Sequence, residues 1–413
     1  MQMQRNAMVL AVLGLFSAPA LAQTSLPTIP VEPVRAPADE PFPWKIKTQG
    51  GLTVESADGR NKITLDGRIQ FDAMMFDGLY NDANDGADAS DTRIRRARLG
   101  IGGTIDQDWD FTVVFETLDD TRQSNVYQAQ LTYTGFDVFD ITGGRFKRPF
   151  ALEEISSSNW ISTIERSIAT DLTANNIAQS GLMLSQVYDT AHGPVSWYAS
   201  VQEDGLQNAN GRDQYGYYAR GAWAPLHGKE QTLHLGLAVA ELSLPEDFEL
   251  TLGTRLGVSA AQNQTLAVVA DDDRQYGLEA AWIRGPLSVQ AEYVNRTLGE
   301  QGGDTEIEGG YLQATFTLTG ESREYKKYPA RIDRIKPANA RYGAVELVAK
   351  LEQVDVRVNG AAEQTVNLTT VGANWYLNQN LRLMLNVLSA DGDELGTTQA
   401  DGNAVSARFQ FTF

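Results

Sequence analysis

The sequence predicts an all-β protein, a transmembrane antiparallel β-barrel of about 16 strands with inward-folded loops. Apolar and polar residues alternate with a period of two along many segments, each near the length of a tilted membrane-crossing strand. Short and long connections alternate between these segments, as they do at the two ends of such a barrel. The final residues, GNAVSARFQFTF, keep the alternation and stop on an aromatic residue, as a closing barrel strand does.

The N-terminal residues predict export from the cytoplasm. Arg5 and the apolar core Ala7–Phe16 precede a small-x-small cleavage site at Ala20–Ala22, so residues 1–22 are expected to be a signal peptide. The apolar core is too short for a transmembrane helix, which needs roughly 20 residues. Residues 23–50 are rich in proline and are expected to be a periplasmic linker, either extended or disordered.

The remaining residues, 51–413, are expected to form the barrel. The count of strands is sixteen if Glu249–Ser259 belongs to a folded loop, and seventeen if it is a strand. The even number is favoured because it brings both ends of a single-chain barrel to the same side of the membrane. A soluble β-sandwich would also alternate, but it rarely combines this many strands with a signal peptide and a terminal aromatic residue.

Composition excludes several classes of function. The 413 residues include no cysteine, which excludes disulfides, thiolate metal sites and thiol nucleophiles. A formal net charge of −19 argues against nucleic acid as a partner. An enzyme is not expected, because His192 and His227 fall in predicted turns and His234 is a lone strand histidine. No cofactor or metal is expected, since the acidic loops lack the spacing of a calcium site.

Five segments carry a resemblance to a known family. They are Thr92–Gly103 (TRIRRARLGIGG), Gly144–Phe150 (GRFKRPF), Thr319–Arg323 (TGESR), Asn374–Leu377 (NWYL) and Arg382–Asn386 (RLMLN). In this order and spacing, they resemble the phosphate-selective porin family, O/P type, of Gram-negative outer membranes. The resemblance covers residues 51–413.

The resemblance implies an outer-membrane barrel, usually a homotrimer, whose lumen is narrowed by segments that fold inward. It also implies that small anions, phosphate or polyphosphate above all, pass along arginine and lysine side chains. As an integral outer-membrane protein, such a chain would contact lipids and lipopolysaccharide. The barrel-assembly machinery would recognise its last strand.

A basic segment, Thr319–Lys336, interrupts an otherwise acidic chain with six positive and three negative residues. Strand parity places it at the periplasmic end, where connections are normally short. It either folds into the lumen, where a low-dielectric constriction would focus its field, or forms an exposed basic turn. The candidate anion-binding residues of this segment are Arg323, Lys326, Lys327, Arg331, Arg334 and Lys336.

Lys147 and Arg148 begin the third long connection, Lys147–Gln179. The resemblance implies that this loop dips inward and sets the constriction, which makes both residues candidates for anion binding. Several glutamates on the same loop balance its charge, so the constriction is not expected to be purely basic.

The densest arginine cluster contains Arg95, Arg96 and Arg98, and the resemblance maps an arginine pair of the family onto the first two. By alternation Arg96 and Arg98 point into the lumen, where guanidinium groups fit phosphate oxygens in pairs. Arg95 has lipid-facing parity and must lie at the headgroups, snorkel or follow a β-bulge. Alternatively, the cluster binds lipopolysaccharide phosphates or pairs with Asp110 and Glu116. Further lumen candidates by alternation are Arg68, Arg220 and Arg408.

These observations predict a passive outer-membrane porin for small anions, phosphate or polyphosphate in particular, with a lumen lined by arginine and lysine. Two alternatives remain open. One is a general diffusion porin without phosphate preference, which the acidic composition favours. The other is a structural or adhesive surface barrel.

Overall fold

The computed structural model describes most of the chain. The described residues are 44–47, 51–116, 126–173, 178–207, 213–228, 231–299, 303–393 and 399–413. The predicted signal peptide, residues 1–22, lies outside them. No helix within these ranges is long and apolar enough to span a membrane.

Strands dominate the described ranges. They are β1 Trp44–Lys47, β2 Leu52–Ser56, β3 Lys62–Phe76, β4 Ala89–Ile105, β5 Trp109–Glu116, β6 Val126–Tyr133, β7 Asp140–Lys147, β8 Ala178–Thr190, β9 Gly193–Gln207, β10 Asp213–His227, β11 Gln231–Thr254, β12 Gln264–Arg284, β13 Leu287–Gly299, β14 Thr305–Thr317, β15 Arg323–Lys326, β16 Arg331–Ile335, β17 Ala344–Val358, β18 Ala361–Tyr376, β19 Leu381–Asp393 and β20 Asp401–Thr412. The short helices are a 3₁₀ turn at Gly78–Asn84, α1 at Leu152–Ile155 and α2 at Ile168–Thr173.

Sixteen of these strands close into a barrel. Strands β3–β14 and β17–β20 pair antiparallel with their neighbours in chain order, and β20 returns to pair with β3. Beyond the last ladder pair, Phe413 and Gly67 exchange two backbone hydrogen bonds, each with an N···O distance of 3.1 Å. The sixteen-stranded antiparallel barrel predicted from the alternation is therefore confirmed.

Two segments differ from the sequence expectation. Alternation predicts a long loop over Glu241–Arg274, but β11 and β12 stay paired across this region, past a bulge between Ser243 and Phe248. Glu249–Thr254 is continuous with β11, so it adds no further strand. Strand β1 lies within residues 23–50, where a linker is expected. It pairs with β2, and β2 in turn pairs with the first residues of β3.

Strand residues alternate between an apolar outer face and a largely polar inner face. On β11, Leu237 and Val239 are 52% and 46% exposed, whereas the intervening Ala238 is 1% exposed and the nearby His234 is fully buried. An outer face of this kind suits acyl chains, and a polar inner face suits a lumen.

The lumen is not an open tube, because chain segments fold into it from both ends. Residues 148–173, here called the inward loop, enter from the end opposite Phe413, and residues 318–343, the inward hairpin, enter from the Phe413 end. The tip of the β11–β12 hairpin also crosses the lumen. There Leu256 joins a buried apolar cluster with Leu368 and Leu388 on the facing strands. Loops folded inward are therefore confirmed.

Candidate functional site

The inward loop is bonded along one side of the barrel, the loop-bearing side, formed by β13, β17, β19 and β20. The N–H of Leu152 donates to the carboxylate of Glu292 on β13 at 2.6 Å. The N–H of Ile168 donates to Glu352 on β17 at 2.9 Å. Because these acceptors lie on rigid strands, the loop is fixed at several points along its length.

Two buried positive side chains on the loop-bearing side, those of Lys350 and Arg408, are paired with carboxylates, whereas Arg382 on β19 donates to the carbonyls of Asn159 and Ile161 on the loop. Lys350 on β17 lies 3.1 Å from Glu153 of the inward loop, and both side chains are buried. Arg408 on β20 lies 2.6 Å from Asp72 and 2.6 Å from Glu165 of the loop. Buried charges need such partners, because an unpaired ion in a low-dielectric interior is strongly disfavoured.

Arg95 and Arg96 belong to the same paired region. Arg95 is the extra residue at a register shift between β3 and β4, where Gln70 faces Arg96 and Phe71 faces Ile94. This bulge, one of the three alternatives for Arg95, turns its guanidinium inward. There it contacts Glu165 at 2.9 Å, and Arg96 contacts the same carboxylate at 3.3 Å.

The Glu165 carboxylate is therefore surrounded by guanidinium groups. Burial alone would raise the pKa of Glu165, but the charges of Arg95, Arg96 and Arg408 outweigh burial and hold the pKa well below its usual value. Glu165 thus remains ionised and neutralises arginines that would otherwise be available to anions.

The inward hairpin resolves the two alternatives for the basic segment Thr319–Lys336, because it lies inside the barrel. Arg220 on β10 binds Glu279 in a bidentate ion pair and donates to the carbonyl of Ala330 on the hairpin at 2.9 Å. Tyr325 of the hairpin contacts the imidazole of His234 at 2.8 Å. These contacts anchor the hairpin to β10–β12.

The two inward segments meet near the middle of the lumen. Arg331 of the hairpin donates to the carbonyl of Ile155 on the loop at 3.0 Å. Arg323 pairs with Glu346 on β17 at 2.7 Å and also donates to the carbonyl of Trp160 at 2.8 Å. These contacts tie the two inward segments to each other and to β17.

A cavity of about 280 Å³ lies between these segments and the cavity side of the barrel, formed by β3–β10. Among the described residues, no aspartate or glutamate lines it. Its positively charged lining residues are Arg68, Arg98, Lys147, Arg148, Arg220 and Arg331.

Two of these side chains lack a carboxylate partner in the described part of the chain. Arg68 donates to the hydroxyl of Ser158 at 2.7 Å and makes no ion pair there. Arg148 is 8% exposed, and its Nε has no hydrogen-bond partner among the described atoms. Its guanidinium carbon lies 5.6 Å from the ring centroid of Tyr218. A buried cation without a carboxylate is a natural ligand for an anion from solution.

The other four cavity cations have carboxylate partners, among them Asp333 for Arg331 at 3.8 Å. Arg98 is ion-paired with Glu116, the pairing considered as an alternative for the arginine cluster, and lies 3.6 Å from the ring centroid of Tyr127. Lys147 lies 3.6 Å from a carboxylate oxygen of Glu154. Each still lines the cavity, so each contributes positive potential to it.

The structure thus brings together four of the eleven predicted site residues and separates the rest. Arg98, Lys147, Arg148 and Arg331 line the cavity, as do the further candidates Arg68 and Arg220. The predicted residues outside its lining are paired elsewhere: Arg95 and Arg96 with Glu165, Arg323 with Glu346, Lys326 with Asp333, Lys327 with Asp189, and Arg334 and Lys336 with Glu324.

Sequence reasoning missed the uncharged part of the lining. Tyr127, Met183, Tyr198 and Tyr328 all border the cavity. Alternation assigns an inward face to Met183 and Tyr198, but aromatic residues at strand ends are equally expected at a membrane interface. Tyr127 has the outward parity of Leu131 and lies inward at a register shift between β5 and β6. Tyr328 lies on an insertion whose path no periodicity predicts.

Comparisons with known proteins agree with this architecture. The family model described as "Phosphate-selective porin O and P" matches residues 63–413. Porin O of Pseudomonas aeruginosa is 32% identical over 406 residues, which cover 89% of this chain and 92% of that protein.

Solved structures of outer-membrane proteins share the fold. An anion-selective porin from Comamonas acidovorans matches 86% of this chain and all of its own, with a TM-score of 0.55 and 13% identity. The trimer form of OmpT from Vibrio cholerae matches 86% of this chain and 99% of its own, with a TM-score of 0.55 and 13% identity.

Proposed function

Because the chain belongs to the phosphate-selective porin O and P family and is an integral outer-membrane porin, we propose that it passes small anions, with phosphate or polyphosphate among them. The observation that supports this most is the cavity lining. It holds six positive side chains and, among the described residues, no carboxylate, although the whole chain carries a net charge of −19. Four of the six have carboxylate partners behind the lining, whereas Arg68 and Arg148 have none in the described part of the chain.

The physical basis is the field inside a narrow space. Low-dielectric walls focus the potential of the charges that line a cavity, so local charge outweighs the bulk charge of the protein. Arginine offers planar, paired donors that match phosphate and carboxylate oxygens. Several moderate sites along a path also allow release, which a single deep site would not.

The proposal assigns the anion path to the cavity side of the lumen. Arg68 and Arg148 act as the principal ligands, while Arg98, Lys147 and Arg331 add positive potential. The paired residues Arg95, Arg96 and Arg323 hold the inward segments in place rather than meet the anion. Lys326, Lys327, Arg334 and Lys336 act as the periplasmic-side entry or exit.

The channel is also proposed to have protein and lipid partners in the outer membrane. A homotrimer is proposed, in line with the family and with the trimer form of OmpT from Vibrio cholerae. Lipids and lipopolysaccharide would surround the apolar outer face, and the barrel-assembly machinery would recognise the last strand.

Reversal potentials in planar bilayers test the proposal. In a potassium chloride gradient the purified protein should prefer chloride over potassium, and added phosphate should block the chloride current. Preference for potassium, or a current that phosphate leaves unchanged, would favour a general diffusion porin. Absence of conductance would favour a structural or adhesive barrel.

A further inference from the structure

Part of the cavity wall is apolar, which a channel for inorganic ions does not need. Phe146, Met183 and Tyr198 lie on the adjacent strands β7, β8 and β9 and form a buried apolar cluster. The ring of Tyr328 on the inward hairpin extends this surface, with its centroid 5.8 Å from that of Tyr198. All four residues border the cavity.

A hydrated inorganic ion gains nothing from such a surface. An ion that contacts apolar groups must give up part of its hydration shell. This is unfavourable, because apolar groups do not replace the lost hydrogen bonds. An apolar ligand body gains free energy in proportion to the area that it buries there. The apolar surface therefore favours anions that carry an apolar group over anions that do not.

Charged groups lie on other elements that border the same cavity. Arg68 and Arg98 come from β3 and β4, and Arg148 follows β7 directly. Arg148 is more than nine-tenths buried and unpartnered at Nε among the described atoms, so it is poised to accept a ligand rather than to hold the fold. The same cavity thus contains both positive groups that can bind an anion and an apolar surface.

We infer that the channel prefers organic anions in which one phosphate or carboxylate group is attached to an aromatic ring. This inference rests on the proposed anion channel and narrows its substrate class. The charged group contacts Arg68 and Arg148, while the ring packs against Met183, Tyr198 and Tyr328. A volume of about 280 Å³ suits a single-ring anion, since pockets for larger organic ligands begin at roughly 300 Å³.

The test compares phenyl phosphate with inorganic phosphate as blockers of the chloride current, at one pH and one salt concentration. Phenyl phosphate should reach half-block at about tenfold lower concentration, equivalent to about 1.4 kcal/mol or roughly 55 Å² of buried apolar surface. M183Q, which keeps the side-chain length but adds an amide, should reduce this ratio several-fold. The readout is the ratio of the two half-block concentrations, so a change that affects both phosphates equally does not alter it.

M384Q is the matched control. Met384 is buried on the inner face of β19 but does not line the cavity, so the ratio should stay as in the unmodified protein. If M183Q fails to fold, the half-block concentrations of benzoate and acetate are compared in the unmodified protein. Benzoate should block at the lower concentration.

The outcomes separate the inference from the proposed function. Equal half-block concentrations for phenyl phosphate and inorganic phosphate, with chloride selectivity retained, would overturn the inference and leave the anion channel intact. Potassium selectivity with no block by either phosphate would overturn both. A ratio lowered equally by M183Q and M384Q would also contradict the assignment of the apolar surface to Met183.

Discussion

Two groups of positive residues, on opposite sides of the lumen, are used differently. On the loop-bearing side Lys350 and Arg408 are matched by carboxylates, and these pairs bind the inward loop to the strands. On the cavity side Arg68 and Arg148 make no ion pair in the described part of the chain and face open space. The partner of an arginine, rather than its position in the lumen, therefore decides whether the guanidinium group can bind an anion.

The difference has an energetic basis. Removing one partner of a buried ion pair costs about 3–5 kcal/mol, because the remaining charge stays buried and uncompensated. Lys350, Arg408 and their carboxylate partners are therefore committed to stability. An arginine without such a partner can exchange water for a permeating anion and release it again.

The largest effect is expected from reversing charge on the cavity side. The double variant R68E/R148E should lower the chloride-to-potassium permeability ratio by at least about tenfold, because two focused positive charges become negative. Reversal potentials in a salt gradient measure the ratio. R341E reverses one charge of the same kind at an exposed residue outside the cavity lining and should leave the ratio unchanged. An unchanged ratio in R68E/R148E would remove both residues from the anion path.

The second effect concerns stability on the paired side. E165Q leaves Arg96 and Arg408 without one of their negative partners, so unfolding should become easier by about 3 kcal/mol. The temperature at which the barrel loses its heat-modifiable migration on gels should fall. E324Q, which breaks a partly exposed pair with Lys336, should have a much smaller effect on this temperature. Equal shifts in the two variants would contradict the structural role of Glu165.

A smaller effect is expected where a cavity residue also holds the hairpin. R220K keeps the positive charge but cannot bridge Glu279 and the carbonyl of Ala330 with a planar fork. The inward hairpin should loosen, and single-channel conductance should rise by up to about twofold with the anion preference retained. Lost anion preference at unchanged conductance would show that Arg220 acts as a ligand rather than as an anchor.

The smallest effect is a pH dependence at Asp171 on α2, which accepts a hydrogen bond from Thr254 at 3.0 Å. Burial raises the pKa of Asp171 from its ordinary value of 3.8 to about 7. Its contribution to stability is therefore fully present below pH 3.8, declines as the pH rises, and is lost above about pH 7. D171N should lack this part of the pH dependence. Thermal midpoints of both proteins at pH 5 and pH 8 provide the comparison, and parallel changes would contradict the assignment.

The fold could be predicted from the sequence because each strand shows its own alternation, and the inward orientation of Arg96 and Arg98 followed from it. Pairing could not be predicted in this way. Glu165 and Arg408 are far apart in the chain, and they meet only because the barrel closes and the loop folds inward. The Arg95 side chain points inward, against the alternation, because of a bulge that the local sequence pattern does not predict.

Accessibility on the two faces of the inward loop tests the central claim most directly. The chain has no cysteine, so S157C and S167C each introduce a single thiol with little change in size. Ser157 borders the cavity, whereas Ser167 is fully buried. A negatively charged thiol reagent should react quickly with S157C and reduce the anion current, while S167C should remain unmodified. Equal reaction rates, or reaction at S167C alone, would contradict the division of the lumen into a paired side and an open one.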